Sequence, residues 1–151
     1  MKNTRLYLLF TFALLSSCHS SHPPIQRTFV AVIVEDMEIS SEWYRTHFSL
    51  TEYDQRSVPE RGLIQSNLIN EHLHVELIQL DSAIDLEDSL ANYGSNSKVE
   101  GLFKIGFVFA DLAGFAKKHG HLEQLVHDPV SEAQTLVIKD PDGNRIQLFE
   151  K

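Results

Sequence analysis

Two sets of side chains in this sequence have the types and spacing to do chemistry. The first is His72-x-His74-x-Glu76. Residues two apart on a strand project from the same face, so two imidazoles and a carboxylate could reach one divalent metal there. Open coordination positions on such an ion would activate water. His-x-His also arises by chance in a chain with eight histidines, and His72 falls near the strand end, toward solvent. The second set is Lys104, Arg145 and Gln147, flanked by Phe29 and Phe149 and sharing Glu76 with the first. Here the cations could hold an anionic group while the rings pack on the apolar part of a small molecule.

Strand alternation says which of these side chains share a surface. In residues 71–80, Leu73, Val75 and Leu77 are apolar and should pack under helices, which leaves His72, His74, Glu76 and Ile78 on the other face. The same parity sends Phe29, Ala31 and Ile33, then Lys104, Gly106 and Val108, then Arg145, Gln147 and Phe149 to that side. The expected result is a cup with mixed polar and apolar walls. In the alternative, Lys104 pairs with Glu76 across the cup and Gln147 satisfies what remains, because buried charges need partners.

Other chemistries find little support. There is no Gly-x-Ser-x-Gly elbow and no glycine-rich phosphate loop. His119, His121 and His127 are assigned to a helix end and a solvated strand.

The elements that must position these residues repeat. Residues 75–78 read like 146–149 at an offset of about 71, and residues 29–37 read like 104–112 at about 75. In the first module, a strand over 28–35 leads to a helix capped by Asp36, with Ile39, Trp43, Tyr44 and Phe48 as its apolar stripe. Three strands follow over 50–58, 63–70 and 71–80. Residues 81–100 connect the modules, with a short helix expected over 86–93. The second module has a strand over 102–110, a helix capped by Asp111 and closed by Gly120, and strands over 121–127, 133–139 and 145–150. Its last hairpin turns at Pro141, with Gly143 and Asn144 suited to left-handed dihedrals.

At 151 residues, 42% hydrophobic and 23% charged, the chain suits one domain with a real core. The N-terminus is separate. Lys2 and Arg5 precede an apolar run over 6–15, too short to span a bilayer comfortably, that ends in Ser16-Ser17-Cys18. Leu15-Ser-Ser-Cys18 resembles the bacterial lipoprotein box, which implies cleavage after residue 17 and lipidation of Cys18, the only cysteine. The expected organisation is a signal peptide over 1–17, a Ser/His/Pro-rich tether over 18–26 and a folded domain over 27–151. Several acyl chains would give stable anchorage, and His19 rather than Asp after the cysteine implies the outer membrane, facing the periplasm. Loss of Lys2 and Arg5 takes the 13 basic residues to 11 against 21 acidic, a formal net charge of -10. That excess disfavours nucleic acid or anionic headgroups as partners.

Two tandem βαβββ modules, each opening with an apolar strand, Asp and a helix, and closing on Asp140-Pro-Asp-Gly-Asn-Arg-Ile-Gln-Leu148, resemble the vicinal oxygen chelate superfamily. This group includes glyoxalase I, extradiol dioxygenases, fosfomycin-resistance enzymes and bleomycin-binding proteins. Ser40, Trp43-Tyr44-Arg45 and Phe48 also match the spacing of its first helix from Asp36. The resemblance covers residues 27–151 and implies an α+β fold, a cupped mixed sheet and pairing into a homodimer. It also implies a metal with ligands at four positions, which here hold Phe29, Glu76, Lys104 and Gln147. Only Glu76 is a good ligand. A unit charge 4 Å from another of the same sign is repelled by roughly 4 kcal/mol at an effective dielectric near 20, and a dication about doubles that for Lys104. The expectation is a small-molecule binder that needs no cofactor. The alternative is a metal-dependent lyase, transferase or dioxygenase-type enzyme with an atypical site.

Overall fold

The computed structural model describes residues 27–94, 100–130 and 132–150. The residues expected to form the signal peptide and tether, 1–26 with Cys18, lie outside them. The first module runs β1 (Thr28–Val34), α1 (Met37–Phe48), β2 (Thr51–Val58), β3 (Leu63–Ile69) and β4 (Leu73–Leu80). A one-turn helix, α2 (Leu86–Ser89), precedes β5 (Ile105–Phe109), α3 (Leu112–His119), β6 (Val126–His127), β7 (Gln134–Lys139) and β8 (Arg145–Glu150). The strands form two four-stranded sheets, in the orders β1-β4-β3-β2 and β5-β8-β7-β6. In each, the first strand lies parallel to the last: Ala31 pairs with Glu76, and Gly106 with Gln147. The repeat seen in the sequence is a repeat of topology.

Local chemistry explains the helix ends. The Asp36 and Asp111 carboxylates accept from the backbone N–H groups of Ile39 (2.9 Å) and Gly114 (2.7 Å), satisfying otherwise orphaned donors. Gly120 ends α3 at φ 76°, where a side chain would be strained.

Several expectations are corrected. The buried stripe of α1 is Met37, Ser40, Ser41, Tyr44 and Phe48, while Ile39 is 57% exposed and Trp43 only half-buried. Two serines stand where large apolar residues were expected: the closing hairpin docks on Ser40, whose Oγ donates to Asp142 Oδ2 at 3.0 Å, and Ser41 Oγ turns back to Met37 Sδ within the helix. The strand expected over 121–127 shrinks to two residues after a 3₁₀ turn, Leu122–Gln124, and pairs only with Gln134 and Thr135. The strand expected from 102 begins at Ile105, and the helix expected over 86–93 is a single turn. In the closing turn only Gly143 takes positive φ, 82°. Asn144 instead donates to the buried Asp140 through its backbone N–H (2.7 Å) and Nδ2 (2.9 Å).

One core joins the modules. Leu73, Val75 and Leu77 from β4, Leu136 and Ile138 from β7, and Ile146 and Leu148 from β8 meet Tyr44 and Phe48 from α1 and Phe115 from α3. The Asp142 carboxylate bonds the Glu35 backbone N–H at 2.6 Å as well as Ser40, so the last hairpin of the second module is tied to the first helix of the first. Among the described residues, no helix is long and apolar enough to cross a membrane.

Candidate functional site

The sheet faces turned away from this core carry the residues singled out above. On the first sheet the alternation holds: Leu73, Val75 and Leu77 are buried, and His74, Glu76 and Ile78 are half-buried on the other side. Parallel pairing sets Phe29 beside His74, with the rings edge to face at 4.8 Å and Phe29 54% exposed. The His74 Nε2 lies 3.0 Å from Asn67 Oδ1, an oxygen that can only accept, so Nε2 holds the proton and donates. Glu76 Oε1 accepts from Gln65 Nε2. Neither Asn67 nor Gln65 stands out in the sequence, because each depends on the β3–β4 register.

His72 precedes β4 with its side chain 85% exposed, and its Nε2 is 3.9 Å from Glu71. It is not gathered with His74 and Glu76. Among the described residues, no three or more His, Cys, Asp or Glu side chains cluster so as to hold a metal ion.

On the second sheet Lys104 Nζ donates to Gln147 Oε1, and Gln147 Nε2 donates to Thr135 Oγ1 at 2.9 Å. Lys104, just before β5, is therefore bonded within the second module and not to Glu76 across a cup. The Arg145 guanidinium lies 5.4 Å from the Phe103 ring centre. Lys104, Phe103 and Arg145 border a recess of about 40 Å³ together with Leu102, Ile105 and Asn144, enough for little more than a water.

Toward the other end of β8 the surface opens into a cavity of about 690 Å³. Apolar Val108, Ala133 and Phe149 line it with polar Asp128, Glu132, Gln134 and Glu150. Strand parity points to Val108 and Phe149; of the acidic lining, Glu150 lies on β8, while Asp128 and Glu132 precede β7 where no periodicity guides a sequence reading.

Two four-stranded sheets in this repeated order match known structures over most of their length. The chain aligns with a glyoxalase family protein from Enterococcus faecalis at TM-score 0.62 and 17% identity, covering 85% of this chain and 98% of that one. The chain has the glyoxalase-like fold. A glyoxylase/bleomycin resistance protein/dioxygenase domain from Frankia sp. EAN1pec aligns at TM-score 0.60 and 16% identity, over 82% of this chain and 89% of that one. The trypanothione-dependent glyoxalase I of Leishmania major aligns at 0.55 and 16%, over 85% and 87%. No protein-family model and no curated protein matches the sequence.

The resemblance read from the sequence implies metal-ligand positions at Phe29, Glu76, Lys104 and Gln147. Here they are a phenyl ring against His74, a carboxylate bonded to Gln65, and an ammonium bonded to the amide oxygen that would have to ligate. That donor set does not fit a divalent ion.

Proposed function

We propose that this chain is a membrane-anchored glyoxalase-like domain that binds a small organic molecule without the superfamily's catalytic metal. The carrying observation is the cavity of about 690 Å³ over the second sheet, of the size and mixed lining that small-molecule sites have. Phe149 and Val108 supply apolar contact, and Glu132 and Glu150 favour a ligand with a cationic or hydrogen-bond-donating end. Lys104, Arg145 and Gln147 at the opposite end of β8 suit an anionic group, and Phe29 and Glu76 form the corresponding surface of the first sheet.

Lipidation of Cys18 would hold the domain at the outer membrane, facing the periplasm. A homodimer is part of the reading: Phe29 and Ile33 are 54 and 56% exposed on the first sheet, and a second copy would cover them.

The deciding experiment pairs elemental analysis with a thermal-shift screen. The chain is equilibrated with Zn²⁺, Mn²⁺, Ni²⁺ and Fe²⁺, freed of unbound ion, and separately screened against aromatic amines and small organic anions. The expected result is no stoichiometric metal and a raised melting temperature with one compound class; saturation at a hundred times Kd adds about 2.7 kcal/mol. One metal per chain, lost in His74→Ala or Glu76→Ala, would replace this reading with a metal-dependent enzyme.

A further inference from the structure

Where the C-terminal ends of α1 and α3 meet, aromatic rings stack across the boundary between the modules. The His47 imidazole lies 4.1 Å from the Trp43 ring at 21°, and 4.4 Å from the His119 ring at 24°. Phe115 adjoins His119 at 4.6 Å. His47 Nδ1 is 2.8 Å from the Trp43 carbonyl oxygen, which can only accept, so Nδ1 donates and Nε2 is the nitrogen left to take up a proton. Nearby, His121 Nδ1 is buried with no hydrogen-bond partner.

The titratable neighbours that act most strongly on this pair are basic. Burial first, then His121 and Lys118, hold His47 below the ordinary histidine value of 6.5, against a partial upward pull from its bond to Trp43. His119 is lowered by burial first, then by His47, Lys118 and His121. A helix C-terminus ordinarily favours a charged histidine, so the stack works against the local dipole. One imidazolium between two rings is tolerated as a cation over an aromatic face. Two of them 4.4 Å apart, beside Lys118, repel.

We propose that Trp43, His47 and His119 form an acid-sensitive latch between the two modules, closed while at most one imidazole is charged and opened when both are. Neither histidine belongs to the sheet faces assigned to ligand binding, so the latch stands whether or not that assignment does. With the folded values depressed, the neutral rings' contribution to stability is present above pH 6.5 and lost as pH falls from there through the folded values.

Trp43 is the only tryptophan and reports on the stack directly, since an imidazolium in contact with indole quenches its fluorescence. The full chain in mild detergent is followed by fluorescence and thermal melting between about pH 7.5 and 5. Trp43 emission should drop on acidification, and the ring protons of His47 and His119 should titrate below the ordinary histidine value of 6.5 in NMR spectra. His119→Phe keeps a ring against Phe115 but cannot charge, so its melting temperature should fall less than half as far as that of the wild type over this range. The control His127→Gln should follow the wild type. An equal fall in His119→Phe, or midpoints for His47 and His119 at or above 6.5, would overturn the latch.

Discussion

The Tyr44 hydroxyl donates a 2.8 Å hydrogen bond to Asp140 Oδ2, joining α1 to the closing hairpin across 96 residues of sequence. Both residues are buried, at 2 and 5% exposure, and Asp140 also accepts both Asn144 donors. A buried carboxylate with three donors is well satisfied. Withdrawing one bond to a charged group costs about 1.5–3 kcal/mol. Tyr44→Phe, which leaves the ring in the core, should lower unfolding stability by about that amount in urea titrations with an unchanged slope. A change under about 0.5 kcal/mol would place the docking energy elsewhere.

The same pair sets an alkaline limit. Burial foremost, then the charge and hydrogen bond of Asp140, then the charge of Asp142, push the Tyr44 hydroxyl well above its usual 10.0. The folded state therefore keeps a proton that the unfolded chain releases. This contribution is fully present below pH 10 and declines above it, by up to about 1.4 kcal/mol per pH unit. Wild type should lose more stability than Tyr44→Phe between about pH 10 and 11, in urea titrations at each pH.

Asn70 shapes the entry to β4. Its Oδ1 accepts from the backbone N–H groups of His72 (2.9 Å) and Leu73 (2.8 Å), and its Nδ2 donates to the Phe48 carbonyl near the end of α1 (2.9 Å). Asn70→Ala leaves three backbone groups short of a partner and should cost about 1–3 kcal/mol. Asn70→Asp keeps both acceptor roles and loses only the donor, so its melting temperature should fall between those of wild type and Asn70→Ala.

Filling the cavity separates binding from stability. Val108 is 67% exposed, so Val108→Trp should change stability by no more than about 0.5 kcal/mol. It should weaken a ligand from the thermal-shift screen at least about tenfold, a change of about 1.4 kcal/mol, as read by calorimetric titration. Wild-type affinity in Val108→Trp would locate the ligand away from this cavity.

The readings that held rest on short-range rules. The caps at Asp36 and Asp111, the Gly120 stop and the inward set Leu73, Val75 and Leu77 follow from geometry within one turn or one strand. Ile39 is exposed although apolar, because the buried helix face is chosen by what docks on it, here Asp142 on Ser40. The strand expected over 121–127 is shorter for a related reason: only Val126 and His127 meet partners, Thr135 and Gln134, and Leu122–Gln124 turn instead.

From its own residues the chain determined two βαβββ modules, their capped helices, and which side chains of each strand share a face. Those features depend on neighbours a few positions apart, where backbone periodicity is the whole constraint. The tertiary structure alone decided that Glu76 is bonded by Gln65, which adjoins its cross-strand partner Asn67, that Lys104 is bonded by Gln147, and that Tyr44 reaches Asp140. It also decided that His47 and His119 stack, and that Val108 and Phe149 share a cavity with Glu132 and Glu150. Each of these pairings turns on strand register or on the docking of one module against the other, set by core packing across tens of residues that no local pattern encodes.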